Sequence, residues 1–165
     1  DLGTAAHAAI IADLSGGRAE DALIELDPAS RDAAENSYLS FCAWRNQHDL
    51  KPMFLEQEFV SALLKFGGKS DFVGLVDGEL ELIDFKTGKG IYDNFWIQLA
   101  GYSMLVNEQG VFPVRYRILN IPRANNEDFQ EEDKSDLTKH KEIFRRLLDI
   151  YWIQKSLRGE NHAKS

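Results

Sequence analysis

The chain has 165 residues, 44% hydrophobic and 11% aromatic, which is enough to bury one core and too few to expect a second domain. Its formal net charge of −8 argues against a protein that grips nucleic acid through a broad basic surface, because such binding is driven by counterion release at phosphates. No apolar run approaches the roughly 18 residues of a membrane span, and a single cysteine, Cys42, excludes an internal disulfide and a four-cysteine metal or iron–sulfur site. Cys42 is expected as a small buried core residue in a reducing, cytoplasmic setting. The opening Asp-Leu-Gly-Thr is neither a start nor a signal peptide, so Asp1 is expected to lie inside a longer natural chain.

In chain order, residues 4–14 are alanine-rich with Ile10, Ile11 and Leu14 at helical spacing, and Ser15-Gly16-Gly17 stops the helix. Asp27-Pro28 supplies an N-cap and a proline at the first helical position for a second helix reaching about Asn46, with Tyr38, Phe41 and Cys42 on its buried face. Strands are expected over 54–61, 70–76 and 79–86, the last two joined by Asp77-Gly78, a strong hairpin signal. After the Thr87-Gly88-Lys89-Gly90 loop, Asp93 is expected to cap a helix over 94–107 with Phe95, Leu99, Tyr102 and Val106 on one stripe. Pro113 opens a strand over 114–121, and the polar, acidic stretch 125–136 reads as a surface loop. A final amphipathic helix over 137–157 carries Phe144, Leu147, Leu148, Tyr151 and Trp152. The expected fold is α/β, a mixed sheet with an Asp-Gly hairpin flanked by helices, in one domain over 1–165. Its parts are N-terminal helices over 1–50, a sheet and helix over 51–122, and an acidic loop with a helix over 123–165. Arg115, Arg117 and Arg123 form a local basic cluster that suits either DNA contact or a solvated strand edge.

The hairpin carries the chemistry. Set about Asp77-Gly78, its register opposes Val76 to Glu79, Leu75 to Leu80, Val73 to Leu82 and Asp71 to Asp84, with Lys86 two residues on and on the same side. Directly opposed carboxylates destabilise a sheet unless a positive charge compensates them. A divalent cation does so, and the ligand set of one or two carboxylates with phosphate and water is that of phosphodiester hydrolysis. The bland alternative, polar residues paired at a strand end, holds if a bulge breaks this register.

The order of motifs resembles the RecB-like branch of the PD-(D/E)XK nucleases, especially phage and bacterial exonuclease-like members, over roughly residues 3–106. It consists of Gly3-Thr4-Ala5-Ala6-His7, the glutamate of Leu55-Glu56-Gln57, Gly68-Lys69-Ser70-Asp71, Ile83-Asp84-Phe85-Lys86-Thr87-Gly88-Lys89, and Gln98-Leu99-Ala100-Gly101-Tyr102. The resemblance implies a restriction-endonuclease-like core in which Asp71, Asp84, the Phe85 backbone carbonyl and His7 ligate Mg²⁺, with Mn²⁺ able to substitute. It implies Lys86 as catalytic lysine, Glu56 as binding or supporting a second metal, and Gln98 and Tyr102 as positioning DNA. Glu58 lies on the same side of a regular strand and competes with Glu56. Ser70 stands where the family name has proline, and the cysteines of the iron–sulfur branch are absent. The function implied is a DNA exonuclease of phage or bacterial recombination or repair, acting in the bacterial or infected-host cytoplasm. A recombination or helicase partner and an oligomer are compatible with that function. A structure-specific or restriction-type endonuclease and a non-catalytic nucleic-acid-binding module remain the alternatives.

Overall fold

The computed structural model of the chain describes residues 2–124 and 126–163, so Asp1 lies outside them. Helix α1 (Leu2–Leu14) is followed by a short 3₁₀ helix (Ala19–Ala22), which the sequence pattern missed, and by α2 (Pro28–Arg45). Asp27 caps α2 as expected, its side chain accepting from Ser30 N–H, with Pro28 in the first turn. The buried face of α2 is Ala34, Ser37, Phe41 and Trp44, so the stripe is rotated from the expected one, and Cys42 is half-buried rather than core. Small side chains (Ala5, Ala6, Ala9, Ala34) pack α1 against α2 and the 3₁₀ turn, which is why the first helix is alanine-rich.

The sheet has five strands in sequential order: β1 (Leu50–Ser61), β2 (Phe66–Val76), β3 (Glu79–Thr87), β4 (Arg115–Ile121) and β5 (Gln130–Lys134). Only β3 and β4 are parallel, and α3 (Asp93–Glu108) makes the crossover between them. The hairpin β2–β3 has the expected register, Val76↔Glu79 through Phe72↔Ile83. Asp77 and Gly78 both have positive φ, 51° and 86°, as the tight hairpin turn requires. The one register shift lies in β1, between Pro52 and Phe54, and leaves this hairpin intact.

Strand alternation sends Val73, Leu82 and Ile118 to one face, where Trp96, Leu99, Ala100 and Val106 of α3 cover them. Phe72, Ile83, Phe85 and Leu119 go to the other face, under Ile10 of α1 and Phe41 and Trp44 of α2. Asp93 is the first residue of α3 and Tyr92 its cap position, so Asp93 acts on the helix dipole rather than as the expected cap.

Two readings of the C-terminal third change. The acidic stretch contains β5, an edge strand paired antiparallel to β4, because Asp133 and Glu131 meet Arg115 and Arg117 across the ladder. For the same reason the basic cluster is not free: Arg117 is bidentate to buried Glu81 (2.9 and 3.0 Å), Arg115 also meets Glu79, and Arg123 pairs with Glu127. Helix α4 (Thr138–Ala163) is longer than expected. It rests on α3 through Phe144, whose ring lies so close to Gly101 that a Cβ there would come within 2.5 Å of it. Leu147 and Tyr151, expected on the buried stripe, are exposed. Among the described residues no helix is long and apolar enough to cross a membrane.

Candidate metal-dependent hydrolytic site

Five elements, α1, β1, β2, β3 and α3, meet at the end of the β2–β3 ladder. Asp71 and Asp84 are the next residues beyond the last ladder pair, Phe72↔Ile83, and both are buried, at 8% and 4% exposure. The Asp71 carboxylate accepts from Phe85 N–H (2.9 Å), which ties the two strands where their mutual ladder ends. Glu56 stands across β1–β2 from Asp71, between the pairs Leu55↔Phe72 and Gln57↔Ser70. Lys65 and Asp77, the other non-glycine residues with positive φ, sit in turns, whereas Glu56 has φ 45° inside a strand. Such a backbone costs about 1–3 kcal/mol and persists where surrounding structure imposes it.

His7 of α1 bridges the two carboxylates, with Nδ1 3.0 Å from Glu56 Oε1 and Nε2 3.1 Å from Asp71 Oδ1, so the ambiguity between Glu56 and Glu58 resolves geometrically to Glu56. On the far side Lys86 Nζ lies 2.8 Å from Asp84 Oδ2, donates to Gln98 Oε1 at 2.7 Å, and sits over the Phe95 ring at 4.8 Å from its centroid. Gln98 and Tyr102, one turn apart on α3, share the face toward the site. Tyr102 packs on Gly68, where any Cβ would come within 2.7 Å of its ring.

The electrostatics follow from burial and crowding. Asp84 is pushed up to about 7, first by burial and then by the charge of Asp71, with Lys86 pulling the other way. Burial also raises Asp71, but hydrogen bonds from His7 and Asp84, the imidazole charge and the Phe85 N–H outweigh it, and its pKa falls below the ordinary value. His7 is lowered by burial and raised more strongly by Asp71, Glu56 and Asp84, so its net shift is upward. Burial and the two aspartates push the Tyr102 phenol up to about 12.

All eight residues singled out in the sequence are thus brought to one place, Phe85 through its N–H. As placed, the acidic groups are engaged with the protein's own cations, and among the described residues no three His, Cys, Asp or Glu side chains converge in ligating geometry. Asp84 Oδ2 is buried with Lys86 Nζ 2.8 Å away as its charge partner. A buried carboxylate oxygen held by one ammonium and next to a second carboxylate suits a hard divalent cation. Beside the aspartates lies a cleft whose wall includes His7, Glu56, Lys69, Phe85 and Thr87. Sequence reasoning missed Phe95 beneath Lys86 and Lys69 at the cleft wall, 4.0 Å from Glu56. The spacing 95, 98, 102 places Phe95 on the face of Gln98 and Tyr102, and that was the available signal.

Comparison with known proteins identifies the family and the fold. The family model of the PD-(D/E)XK nuclease superfamily matches residues 1–165. The solved structure of a Eubacterium rectale protein designated "Putative exonuclease" superposes with TM-score 0.65 at 12% identity, over 98% of this chain and 68% of that one. A second structure, SSO0001, gives TM-score 0.44 at 14% identity, over 86% of this chain and 66% of that one. No functionally curated protein matches the sequence.

Proposed function

Since the chain belongs to the PD-(D/E)XK nuclease superfamily, we propose that it hydrolyses DNA phosphodiester bonds with a divalent cation, Mg²⁺ or in its place Mn²⁺, held by Asp71 and Asp84. His7 and the Phe85 carbonyl complete the proposed ligand set, and Glu56 supports it through His7. The observation that carries this reading is the pair of buried aspartates at the end of one hairpin, of which Asp84 is pushed up to about 7 by burial and the neighbouring charge. The charged form of Asp84 is disfavoured there despite Lys86, and a divalent cation would offset that cost. When bound, the cation lowers the pKa of a water and polarises the scissile phosphoryl group.

The protein's own groups complete the task. Lys86 sits beside Asp84 with its ammonium fixed from two sides, by Gln98 Oε1 and by the Phe95 ring, so its charge stays in place as negative charge develops on the phosphate. Gln98 is then a positioning residue for Lys86, and Tyr102, wedged on Gly68, keeps the Gln98 face toward the site. His7 lies between Glu56 and Asp71, and as a ligand it would bind through Nε2 as the neutral imidazole while Glu56 fixes its Nδ1 side. Lys69 at the cleft wall and Lys86 beside Asp84 place positive charge near the site, which lets an acidic protein take a polyanion locally.

Within the superfamily we favour the RecB-like branch and exonuclease action in phage or bacterial recombination or repair, in the cytoplasm, with a recombination or helicase protein as partner. The motif order and the E. rectale neighbour's designation favour this reading over a structure-specific or restriction-type endonuclease or a non-catalytic module. The test is cleavage of linear duplex, closed circular duplex and circular single-stranded DNA with Mg²⁺ or Mn²⁺, with and without chelator, beside Asp84→Ala and Lys86→Ala. Cation-dependent loss of linear DNA alone, abolished in both variants, is the expected result. Equal cutting of closed circles refutes the exonuclease, and inert folded parent or fully active variants refute the hydrolase.

A further inference from the structure

Helix α4 carries two apolar stripes and uses one. Phe144 packs on Phe66 and against Gly101, Leu148 is half-buried, and Trp152 donates from Nε1 to Lys65 O at 3.1 Å. On the side turned largely away from that stripe, Ile143, Leu147, Ile150, Tyr151, Ile153 and Leu157 stand between 44% and 61% exposed. One packed stripe suffices to dock a helix, so the second needs its own explanation. Its residues follow the coiled-coil spacing: Ile143, Leu147, Ile150, Gln154 and Leu157 step by 4, 3, 4 and 3, which is a d-a-d-a-d seam.

We infer that α4 is the surface through which two copies of this chain pair, in parallel and in register, along the seam Ile143–Leu147–Ile150–Gln154–Leu157. The area supports a second copy. Six half-exposed large side chains present on the order of 500 Å² of apolar surface on one helix face, the size of patch that is often functional. Buried on both copies with its flanking stems, that surface reaches roughly 1,000–1,200 Å², the lower end for a specific interface and suited to micromolar association. Gln154 selects the occupant and its direction. In a parallel pair each Gln154 meets its counterpart and the two amides bond, as a polar seam residue that sets register does. An antiparallel copy would set Gln154 against Ile143, and a wholly apolar helix would leave the amide without a partner, at a cost of about 1–3 kcal/mol. Parallel pairing also places Arg146 beside the counterpart of Tyr151, where a guanidinium can cover an aromatic face. Leucine at a with isoleucine at d alone favours larger bundles. Those need the e-side of each helix in a shared core, and here Phe144 on that side is already packed on α3 and Phe66.

The test is sedimentation equilibrium of the 165-residue chain over about 1–100 µM, the range such an interface spans. The expected mass rises from 18.7 kDa to twice that value. Ile150→Glu, at an exposed position, is expected to keep the parent's circular dichroism and remain monomeric throughout. Gln154→Cys, mildly oxidised, is expected to give a dimer whose disulfide maps to position 154 in both copies rather than to Cys42. A parent monomeric at every concentration, a dimer indifferent to Ile150→Glu, an assembly larger than two, or a dimer without the symmetric 154 link overturns the proposal. A monomer whose face is instead taken by another protein or a further chain segment falls under the first of these.

Discussion

Asp84→Asn is expected to make the metal-free protein more stable while removing its activity. A carboxyl whose folded pKa lies above its unfolded value gains protons on folding between the two, so stability is greatest below the unfolded pKa and declines as pH rises toward the folded one. For Asp84 the window runs from the ordinary 3.8 to about 7, and the cause is burial followed by the charge of Asp71. At about 1.4 kcal/mol per pKa unit the full shift corresponds to about 4 kcal/mol by pH 8. The downward shift of Asp71 and the upward shift of His7 belong to the same coupled cluster, so about 2–4 kcal/mol is the working range. Asparagine is never charged and can donate to Asp71 as the protonated Asp84 carboxyl does. In chelator the melting temperature of Asp84→Asn should therefore match the parent near pH 4 and exceed it by roughly 5–10 °C at pH 8. Added Mg²⁺ should narrow the gap by stabilising only the parent. Scanning calorimetry at three pH values with chelator, then with cation, reads all of this. A difference that does not grow with pH, or a variant less stable than the parent at pH 8, refutes the account of a charge-penalised aspartate.

The other predictions concern activity and scaffold. Because a proton and the cation compete for Asp84, cleavage at limiting Mg²⁺ should rise through about pH 7, with a midpoint that moves down as Mg²⁺ is raised; a midpoint indifferent to Mg²⁺ would contradict competition. Gln98→Ala should lower kcat by roughly 10-fold and Lys86→Ala by about 10²–10⁴-fold, in the range of other lost charge-stabilising groups. A KM effect alone in Gln98→Ala would show that it contacts DNA and does not position Lys86. Arg117→Ala strands the carboxylate of Glu81, which is 2% exposed, and should cost about 3–5 kcal/mol in denaturant titration; unchanged stability with weakened DNA binding would restore the sequence-based reading of Arg117 as a phosphate contact. Gly101→Ala forces the Phe144 ring away from α3 and should cost about 1–3 kcal/mol, read by the same titration.

Local patterns were legible wherever a short-range rule dominated. Asp77-Gly78 sets the hairpin turn, period-2 alternation then settles which side chains share a face, and the arrangement of Asp71, Asp84 and Lys86 at one end follows by counting. Asp27-Pro28 likewise starts α2. Patterns failed where a segment takes its structure from a neighbour. Gln130–Lys134 has no apolar alternation and becomes a strand because Arg115 and Arg117 of β4 receive its carboxylates. Leu147 and Tyr151 fit an amphipathic helix, yet periodicity does not say which of two apolar stripes faces the body; Gly101, by admitting the Phe144 ring, decides it.

The opposition of two aspartates across one hairpin was in the sequence by itself, since it depends on contacts a few residues apart. Tertiary structure alone brought His7 from the first helix between Glu56 and Asp71, and put a strand residue at φ 45° beside them. It also set the Lys86 charge between Gln98 and Phe95. Burial, which sends Asp84 up and, through its partners, leaves Asp71 down, exists only once the sheet is covered by helices on both faces. Sequence places charges along a chain, but their energies depend on the solvent that packing removes and on the partners it supplies.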